Sequence, residues 1–378
     1  MKKMKNHDAT LLQMIALSLV RGLGHVAQRH LLETYGSAQA VFQAAADSGE
    51  GSLSRRHAML LSRVREGRAE AFRAAEAELE RIGKHAIRTF MFGEENYPYR
   101  LAQCPDAPLL LYGWGDCTLN GSRMLAVVGS RKASLYGLDQ TRKLIETLRV
   151  AAPCIVSGLA YGIDACAHTA ALDTRLDTVA VLGNGLGTVY PASHRKLYDK
   201  IREQGLLLTE YPYDTPPDAY RFPQRNRIIA GLSDAVAVME AKEKSGALIT
   251  ADIAFSYSRE LFAYPGRTTD SGSAGCNALI AQNKASLVCQ PSDILKAMRW
   301  EEASPQLSLP LGTVPVQPLP MSEDEQKLYD IIQSLSDPDV DTLSEMTPFS
   351  PSELAVMLLS MECKGLIYSL SGKRYGSR

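Results

Sequence analysis

Hydrophobic positions follow two different periods along the chain. Up to about residue 82 they recur at helical spacing, as at Leu11, Ile15 and Leu19, and 63–82 is a run of Ala, Glu and Arg, which are strong helix formers. After a connector rich in Pro, Tyr and Gly, the pattern changes near residue 120 to short apolar runs separated by helical segments. This change predicts an N-terminal helical domain followed by an α/β domain.

Seven apolar runs beyond residue 120 are candidate strands. Most of the segments between them are 15 to 30 residues long and helical in pattern. Alternation at that spacing requires a mainly parallel, doubly wound α/β sheet with helices on both faces. The predicted strands are 125–128, 154–157, 178–182, 206–208, 235–239, 261–264 and 286–288.

A third block follows the stretch 301–320, which holds five prolines and only two charged residues, the composition of a linker. Beyond it the pattern predicts helices at 322–336 and 352–364 and a hairpin around Ser371 and Gly372, the outline of a small winged helix. The predicted organisation is a helical domain at 1–82, an α/β domain with its entry connector at 83–300, a linker at 301–320 and a winged-helix-like domain at 321–378.

Charge is distributed unevenly, although the formal net charge is only −1. Residues 1–84 contain 13 Lys and Arg against 9 Asp and Glu, and 85–300 contain 23 against 21, whereas 321–378 contain 5 against 10. A polyanion is therefore expected to meet the first 300 residues and to be repelled by the acidic tail.

Cysteine use and hydropathy exclude several classes of protein. The seven cysteines are scattered, with no Cys-x-x-Cys pair and no His at ligand spacing, so we expect reduced thiols in the cytoplasm and no metal site. The apolar stretch 11–20 is interrupted by Gln13 and Ser18 and is too short to span a bilayer. We therefore predict no membrane segment and no secretion signal.

The segment 221–231 combines three guanidinium groups, an aromatic ring and an amide, with no carboxylate. Arg225 and Arg227 supply fixed charge and planar donors that match phosphate oxygens, while Phe222 offers a ring on which a base stacks. A helix beginning near Ile228 would add the partial positive charge of its free N–H groups. The pattern predicts a phosphate cradle for a nucleotide strand. The alternative is a solvated, Arg-rich helix start with Phe222 in the core.

Small and polar residues follow several of the predicted strands. Each of these turns alone is an ordinary β–α connection, in which Gly and Ser occur for conformational reasons. Ligands of doubly wound sheets bind beyond the carboxyl ends of the strands, so several such turns at one edge predict a phosphate-binding site there. The residues concerned are Ser130 and Arg131, Gly158 and Gly162, and Ser245 and Gly246.

Motifs of nucleotide-cofactor and hydrolytic enzymes are missing or misplaced. The glycines in 183–187 lack Gly-x-Gly-x-x-Gly spacing, and the chain has no P-loop. Ser157, Asp164 and His168 invite a hydrolytic reading, but a packing role for His168 is favoured because a triad histidine must point back at its serine. Glu240 is interpreted as a helix cap or arginine partner. The sequence predicts no catalytic residue and no cofactor.

A series of short motifs in one order resembles a known family. Over about residues 85–290 the chain is similar to DNA-processing protein A, the DprA or Smf family. More weakly, the turn at Gly22 and Gly24 resembles the helix-hairpin-helix element of DNA-repair proteins, with a purely steric glycine turn as the alternative. The family motifs are Gly129-Ser130-Arg131, Ser157-Gly158-x-Ala160-x-Gly162-Ile-Asp164, Ala180-Val-Leu-Gly183, Tyr190-Pro191, Phe222-Pro-x-Arg225-Asn226-Arg227, Glu240-Ala241, Ser245-Gly-x-Leu-x-Thr250-Ala251, Pro265-Gly266 and Asn277-x-Leu-Ile280.

The resemblance implies a non-enzymatic DNA-binding protein of natural transformation and DNA recombination. Such proteins bind single-stranded DNA, protect incoming strands and help to load the recombinase RecA. They use a Rossmann-like domain as the DNA-binding core and dimerise through it. The resemblance also implies a helix-hairpin-helix or SAM-like N-terminal domain, and in several members a winged-helix-like domain follows. The implied DNA contacts are Ser130, Arg131, the turn Gly158–Gly162, Phe222, Arg225, Asn226 and Arg227.

The chain departs from the family pattern at two loops, 175–177 and 283–285, where glycine-containing sequences are common. A rival interpretation is a Rossmann-like nucleotide phosphoribohydrolase, but Ile253 stands where that class has a glutamate. Because the predicted helix 352–364 carries Glu353 and Glu362 against one lysine, we expect the tail domain to dock on protein or on the chain's own DNA-binding surface instead of reading a major groove.

Overall fold

The computed structural model describes residues 2–47, 54–300, 321–335, 338–370 and 374–377. The chain forms two compact units, Met1–Glu302 and Ala303–Arg378. The finer division of the first unit at residue 82 stays a prediction. Within the described ranges we find no helical stretch that combines the length and the hydropathy needed to span a bilayer.

One mainly parallel nine-stranded sheet organises the first unit. Its strand order is β1-β2-β6-β5-β4-β3-β7-β8-β9, and only the β1–β2 and β2–β6 pairs are antiparallel. The predicted Rossmann-like, doubly wound α/β sheet is therefore confirmed. The strands are β1 (Arg88–Met91), β2 (Leu110–Gly115), β3 (Met124–Val128), β4 (Cys154–Ser157), β5 (Thr178–Val181), β6 (Leu206–Thr209), β7 (Ala235–Val238), β8 (Glu260–Ala263) and β9 (Ser286–Leu287).

Twelve described helices surround this sheet. They are α1 (Lys2–Ser18), α2 (His25–Tyr35), α3 (Ala38–Asp47), α4 (Arg55–His85), α5 (Tyr99–Ala102), α6 (Leu135–Leu148), α7 (Ile163–Asp173), α8 (Arg195–Gln204), α9 (Arg221–Leu232), α10 (Gly246–Ser256), α11 (Ala274–Ala281) and α12 (Ser292–Ala297).

Both faces of the central strands are buried, which explains their unbroken apolar sequences. In β3, Ala126 and Val128 pack in one apolar cluster with residues of α9, α10 and α11. Leu125 and Val127 pack in another with residues of α6, α7 and α12. Helices α1 to α4 cover the β1–β2 end of the sheet, where Leu110 contributes to their shared core.

The described part of the second unit has three helices and an antiparallel pair of strands around its own apolar core. Leu328, Leu343, Leu354 and Leu358 are buried in that core. The predicted helices and hairpin are present, while the helix at 340–346 was not predicted from the sequence. The turn of the hairpin, with Ser371 and Gly372, lies outside the described residues, and the winged-helix assignment stays a prediction. The elements are α13 (Glu323–Ser334), α14 (Val340–Met346), α15 (Pro351–Cys363), β10 (Ile367–Leu370) and β11 (Arg374–Ser377).

Candidate nucleic-acid interface

The turns that follow the parallel strands meet around one pocket at the carboxyl edge of the sheet. This pocket has a volume of about 620 Å³. It joins the β3–α6 turn, the β4–α7 turn, the start of α9 and the β7–α10 loop, as the strand-end motifs predicted. Its polar lining includes Ser130, Arg131, Lys132, Arg225, Asn226, Lys242, Lys244 and Ser245, with Gly246 beside them.

Phe222 provides an aromatic platform inside this edge. Its ring lies on that of Tyr190, with centroids 5.2 Å apart and planes inclined by 29°. The Arg131 guanidinium lies 5.8 Å from the centre of the same Phe222 ring. Phe222 is half-buried, so part of the residue stays open to solvent at this edge. A cation beside an aromatic pair is the arrangement that holds a nucleotide by its phosphate and its base.

Arg225 supports the pocket through hydrogen bonds to the backbone and is not an exposed cation. Only 4% of Arg225 is exposed, and Nη1 donates to the carbonyl oxygens of Gly158, at 2.7 Å, and of Val181. Burial and then the neighbouring Arg131 lower the pKa of Arg225 to about 10, while Asp164 opposes that change. Arg225 therefore stays charged at neutral pH and fixes the β4 and β5 strand ends.

Two glycines are needed for this close packing. A Cβ atom on Gly158 would lie 2.2 Å from Nη1 of Arg225, so a side chain there would displace the guanidinium. Gly162 has a φ of +74°, and a Cβ on it would lie 2.2 Å from the carbonyl oxygen of Ser130. Glycine is therefore required at position 162, and at position 158 it leaves the room that the Arg225 guanidinium occupies.

Arg227 is not brought to this pocket, so the predicted convergence of Arg225 and Arg227 is wrong. The Arg227 side chain is 7% exposed and forms an ion pair with Glu210, and Nη1 donates to the backbone oxygen of Asp106 at 2.6 Å. His25, which follows the Gly22–Gly24 turn, lies 3.2 Å from the same carboxylate. Arg227 lines a separate groove between α2 and α9.

The reason for this divergence is that the arginine run lies inside a helix. Helix α9 begins at Arg221, not near Ile228 as the sequence pattern suggested. Residues two apart on a helix point to different sides, so Arg225 and Arg227 cannot face one ligand. Pro223 is compatible with this early start because the first-turn N–H groups have no partner within the helix.

The N-terminus of α10 also faces the pocket. Ser245 is the residue before its first turn, and its hydroxyl makes no capping bond. Among the described residues, the buried Ser245 Oγ has no hydrogen-bond partner at all. Asn226 Nδ2 donates to the backbone oxygen of Gly246 at 3.4 Å, which connects α9 to this loop. The free N–H groups of this first turn add positive potential where an anion is expected.

Three cationic side chains at this pocket were missed by the sequence reasoning. Lys132, Lys242 and Lys244 are exposed and line the cavity with Arg131. The available signal was their position: Lys132 follows Arg131 directly, and the two other lysines lie in the turn between β7 and α10. Because Glu243 lies between these two lysines, the segment has the mixed charge of an ordinary solvated loop.

The hydrolytic reading of Ser157, Asp164 and His168 is contradicted by their hydrogen bonds. Ser157 Oγ donates to the Val127 oxygen at 2.6 Å, while Asp164 accepts the Gly158 and Ala160 N–H groups. The fully buried His168 has Nδ1 2.7 Å from Thr178 Oγ1, which confirms the favoured packing role.

Glu240 follows β7 and contacts the β3–α6 turn. Its carboxylate accepts hydrogen bonds from the backbone N–H and hydroxyl of Ser134, the residue that caps α6. Glu240 therefore acts through Ser134 at the start of α6, a structural role of the kind that the sequence interpretation favoured. Within the described ranges, no group of three or more His, Cys, Asp or Glu residues is arranged to hold a metal ion.

The burial of His168 predicts a pH dependence of stability. Burial lowers the pKa of His168 to about 3, below its ordinary value of 6.5. Between those values the unfolded state binds the extra proton, so stability should fall as pH decreases, by about 1.6 kcal/mol between pH 6.5 and 5. Urea unfolding of wild type and His168→Gln at both pH values measures this. If both proteins lose the same free energy of unfolding between the two pH values, the pH dependence does not come from His168.

Comparison with known proteins agrees with this architecture. The family model described as DNA recombination-mediator protein A matches residues 88–299. The chain is 40% identical over 299 residues to Protein Smf of Escherichia coli (strain K12), covering 78% of each protein.

Two solved structures are also similar. That of DNA processing protein A (DprA) from Streptococcus pneumoniae matches with a TM-score of 0.65 and 36% identity, covering 75% of this chain and 97% of that one. A structure titled for the single-stranded DNA binding mode of DNA processing protein A from Helicobacter pylori matches with a TM-score of 0.52 and 30% identity, covering 56% and 95%. The chain therefore belongs to the DNA recombination-mediator protein A family, whose members are named DprA or Smf.

Proposed function

We propose that this chain binds single-stranded DNA in the pocket at the carboxyl edge of its sheet. The observation that carries the proposal is the joint presence there of exposed cations, the Phe222–Tyr190 ring pair and the N-terminus of α10. In this proposal Arg131 and the three lysines hold successive phosphates, and a base stacks against the ring pair. Single strands are favoured because a duplex hides the base faces in its own stack.

Family membership extends the proposal to a biological role. The structure of the Helicobacter pylori relative is titled for its single-stranded DNA binding mode. Its fold matches 56% of the length of this chain. We infer a non-enzymatic cytoplasmic protein of natural transformation that protects incoming strands and helps to load RecA. The assay is RecA filament formation on strands coated with single-strand-binding protein. No acceleration by this chain would contradict the loading role.

We also propose a homodimer formed through the Rossmann-like domain, assigned here to residues 83–300. Strand β9 is a two-residue edge strand whose residues Ser286 and Leu287 are exposed. The exposed Leu287 at this edge is a candidate apolar contact for a second copy, and a dimer would double the DNA footprint. Sedimentation that shows only monomers at micromolar concentration would contradict this arrangement.

The binding proposal predicts a specific salt dependence. Four neutralised phosphates should give a slope of log affinity against log salt of about −3 for a single strand. Replacing Lys242 and Lys244 together by Gln should make the slope shallower by roughly 1.4. Fluorescence anisotropy with a labelled oligonucleotide across a salt series measures both values, with a duplex of the same sequence as comparison.

The matched control is Lys143→Gln, which removes a lysine paired with Asp139 on α6. Its salt slope should equal that of wild type, because Lys143 lies outside the pocket lining. Tighter binding of duplex than of single strand, or an unchanged slope in the Lys242 and Lys244 double variant, would count against the proposal.

A further inference from the structure

Helix α15 of the second unit is apolar on two sides. Its inner stripe, Leu354, Leu358 and Met361, is buried in the core of the unit. A second stripe at helical spacing points outward, and all of its members are exposed. Val356 is 68% exposed and Leu359 is 62% exposed. The outward stripe consists of Ser352, Ala355, Val356, Leu359 and Cys363.

An outward stripe without a charged residue is unusual for a surface helix. Single exposed apolar side chains are common, but a helix exposed on one side normally carries charged residues there. Here the spacing of three and four residues repeats over three turns, which is the spacing by which helices pack on one another. The outward stripe is therefore suited to a second helix.

We propose that the outward stripe of α15 is a docking surface for a helix of a partner protein. The partner helix presents an apolar contact face with Lys or Arg on its flanks. Charge complementarity selects this chemistry, since residues 321–378 contain 10 Asp and Glu against 5 Lys and Arg. Glu353 and Glu362 lie on the two sides of the stripe, where they meet those cations.

A second copy of α15 does not satisfy the same surface. The unit that carries α15 has 10 Asp and Glu against 5 Lys and Arg over residues 321–378, so pairing of two copies would bring two net-negative surfaces together. A basic partner helix avoids this repulsion.

The test uses the full chain and two labelled synthetic peptides of about 20 residues, long enough to form helix. Both peptides carry the same Leu and Ala stripe, flanked in one by Lys and in the other by Glu. Anisotropy should show saturable binding of the Lys peptide and roughly tenfold weaker binding, or less, of the Glu peptide. Absence of binding by the Lys peptide, or equal binding of both, would overturn the proposal.

Three variants locate the binding. Leu359→Glu should weaken binding of the Lys peptide by roughly tenfold or more. Glu362→Lys should shift the binding preference towards the Glu peptide. Val150→Glu makes a matched exchange at an exposed site in the other unit, where Val150 is 63% exposed, and should leave binding unchanged. If Leu359→Glu binds the Lys peptide as wild type does, the outward stripe is not a binding site. If sedimentation shows that this variant has lost self-association, the stripe binds a second copy. Either result would overturn the proposal.

Discussion

Replacing Phe222 by Ala is expected to weaken single-stranded DNA binding by about 1–3 kcal/mol, which is roughly 5- to 150-fold in affinity. The side chain is half-buried and stacked on Tyr190, so its removal takes away both the platform and the support of the neighbouring ring. Arg131 would also lose the ring beside its guanidinium. Anisotropy with a labelled oligonucleotide at fixed salt measures the change.

Tyr220→Ala is the matched control for this variant. Tyr220 is an aromatic residue two positions earlier, 72% exposed, and it lines the groove between α2 and α9 instead of the strand-end pocket. Its replacement should change affinity by less than about twofold. If Tyr220→Ala weakens binding as much as Phe222→Ala does, the strand runs through the other groove and the assignment of the pocket fails.

Replacing Arg227 by Ala is expected to destabilise the protein by about 3–5 kcal/mol, since breaking a buried ion pair leaves an uncompensated charge. Glu210 is 2% exposed and would lose its strongest partner. His25 is a weak substitute because burial lowers its pKa, although Glu210 opposes that change. Urea unfolding at neutral pH measures the loss. If this variant binds DNA more weakly, the cause is damage to the fold and not the loss of a phosphate contact.

Arg88→Ala provides the comparison, because Arg88 pairs with Asp116 on the surface, with side chains 43% and 99% exposed. That variant should lose less than about 1 kcal/mol. Adding Glu210→Gln to Arg227→Ala should recover part of the stability, since no buried charge is then left alone. A stable Arg227→Ala protein with normal unfolding would show that the pair is not buried in solution.

The central sheet was predictable because its strands are buried on both faces. Every residue of β3 is buried, so the sequence reads as one unbroken apolar run at 124–128. Strands β1 and β2 were missed because they lie in the Pro-, Tyr- and Gly-rich connector and pair antiparallel, with Gly113 and Gly115 inside β2. Tertiary pairing overrides the turn-like composition there.

The position of the pocket was predictable, but the orientation of its arginines was not. The rule that ligands bind at carboxyl ends of parallel strands correctly placed Ser130, Arg131 and Ser245 together. The direction of Arg225 and Arg227 depends on where α9 begins, and a shift of that start from residue 228 to 221 places them on different sides. The carboxylate that pairs with Arg227 is Glu210, which follows β6 and lies outside the arginine run.

Photocrosslinking shows directly whether a bound single strand lies in the strand-end pocket. A single-stranded oligonucleotide carrying 4-thiothymidine is bound to the full chain and irradiated, and the modified residues are identified by mass spectrometry. Crosslinks are expected at Phe222 and Tyr190, and an excess of unlabelled single strand should abolish them. Crosslinks confined to the helices before residue 86 or to the unit beyond residue 302, with none at the strand-end pocket, would contradict it.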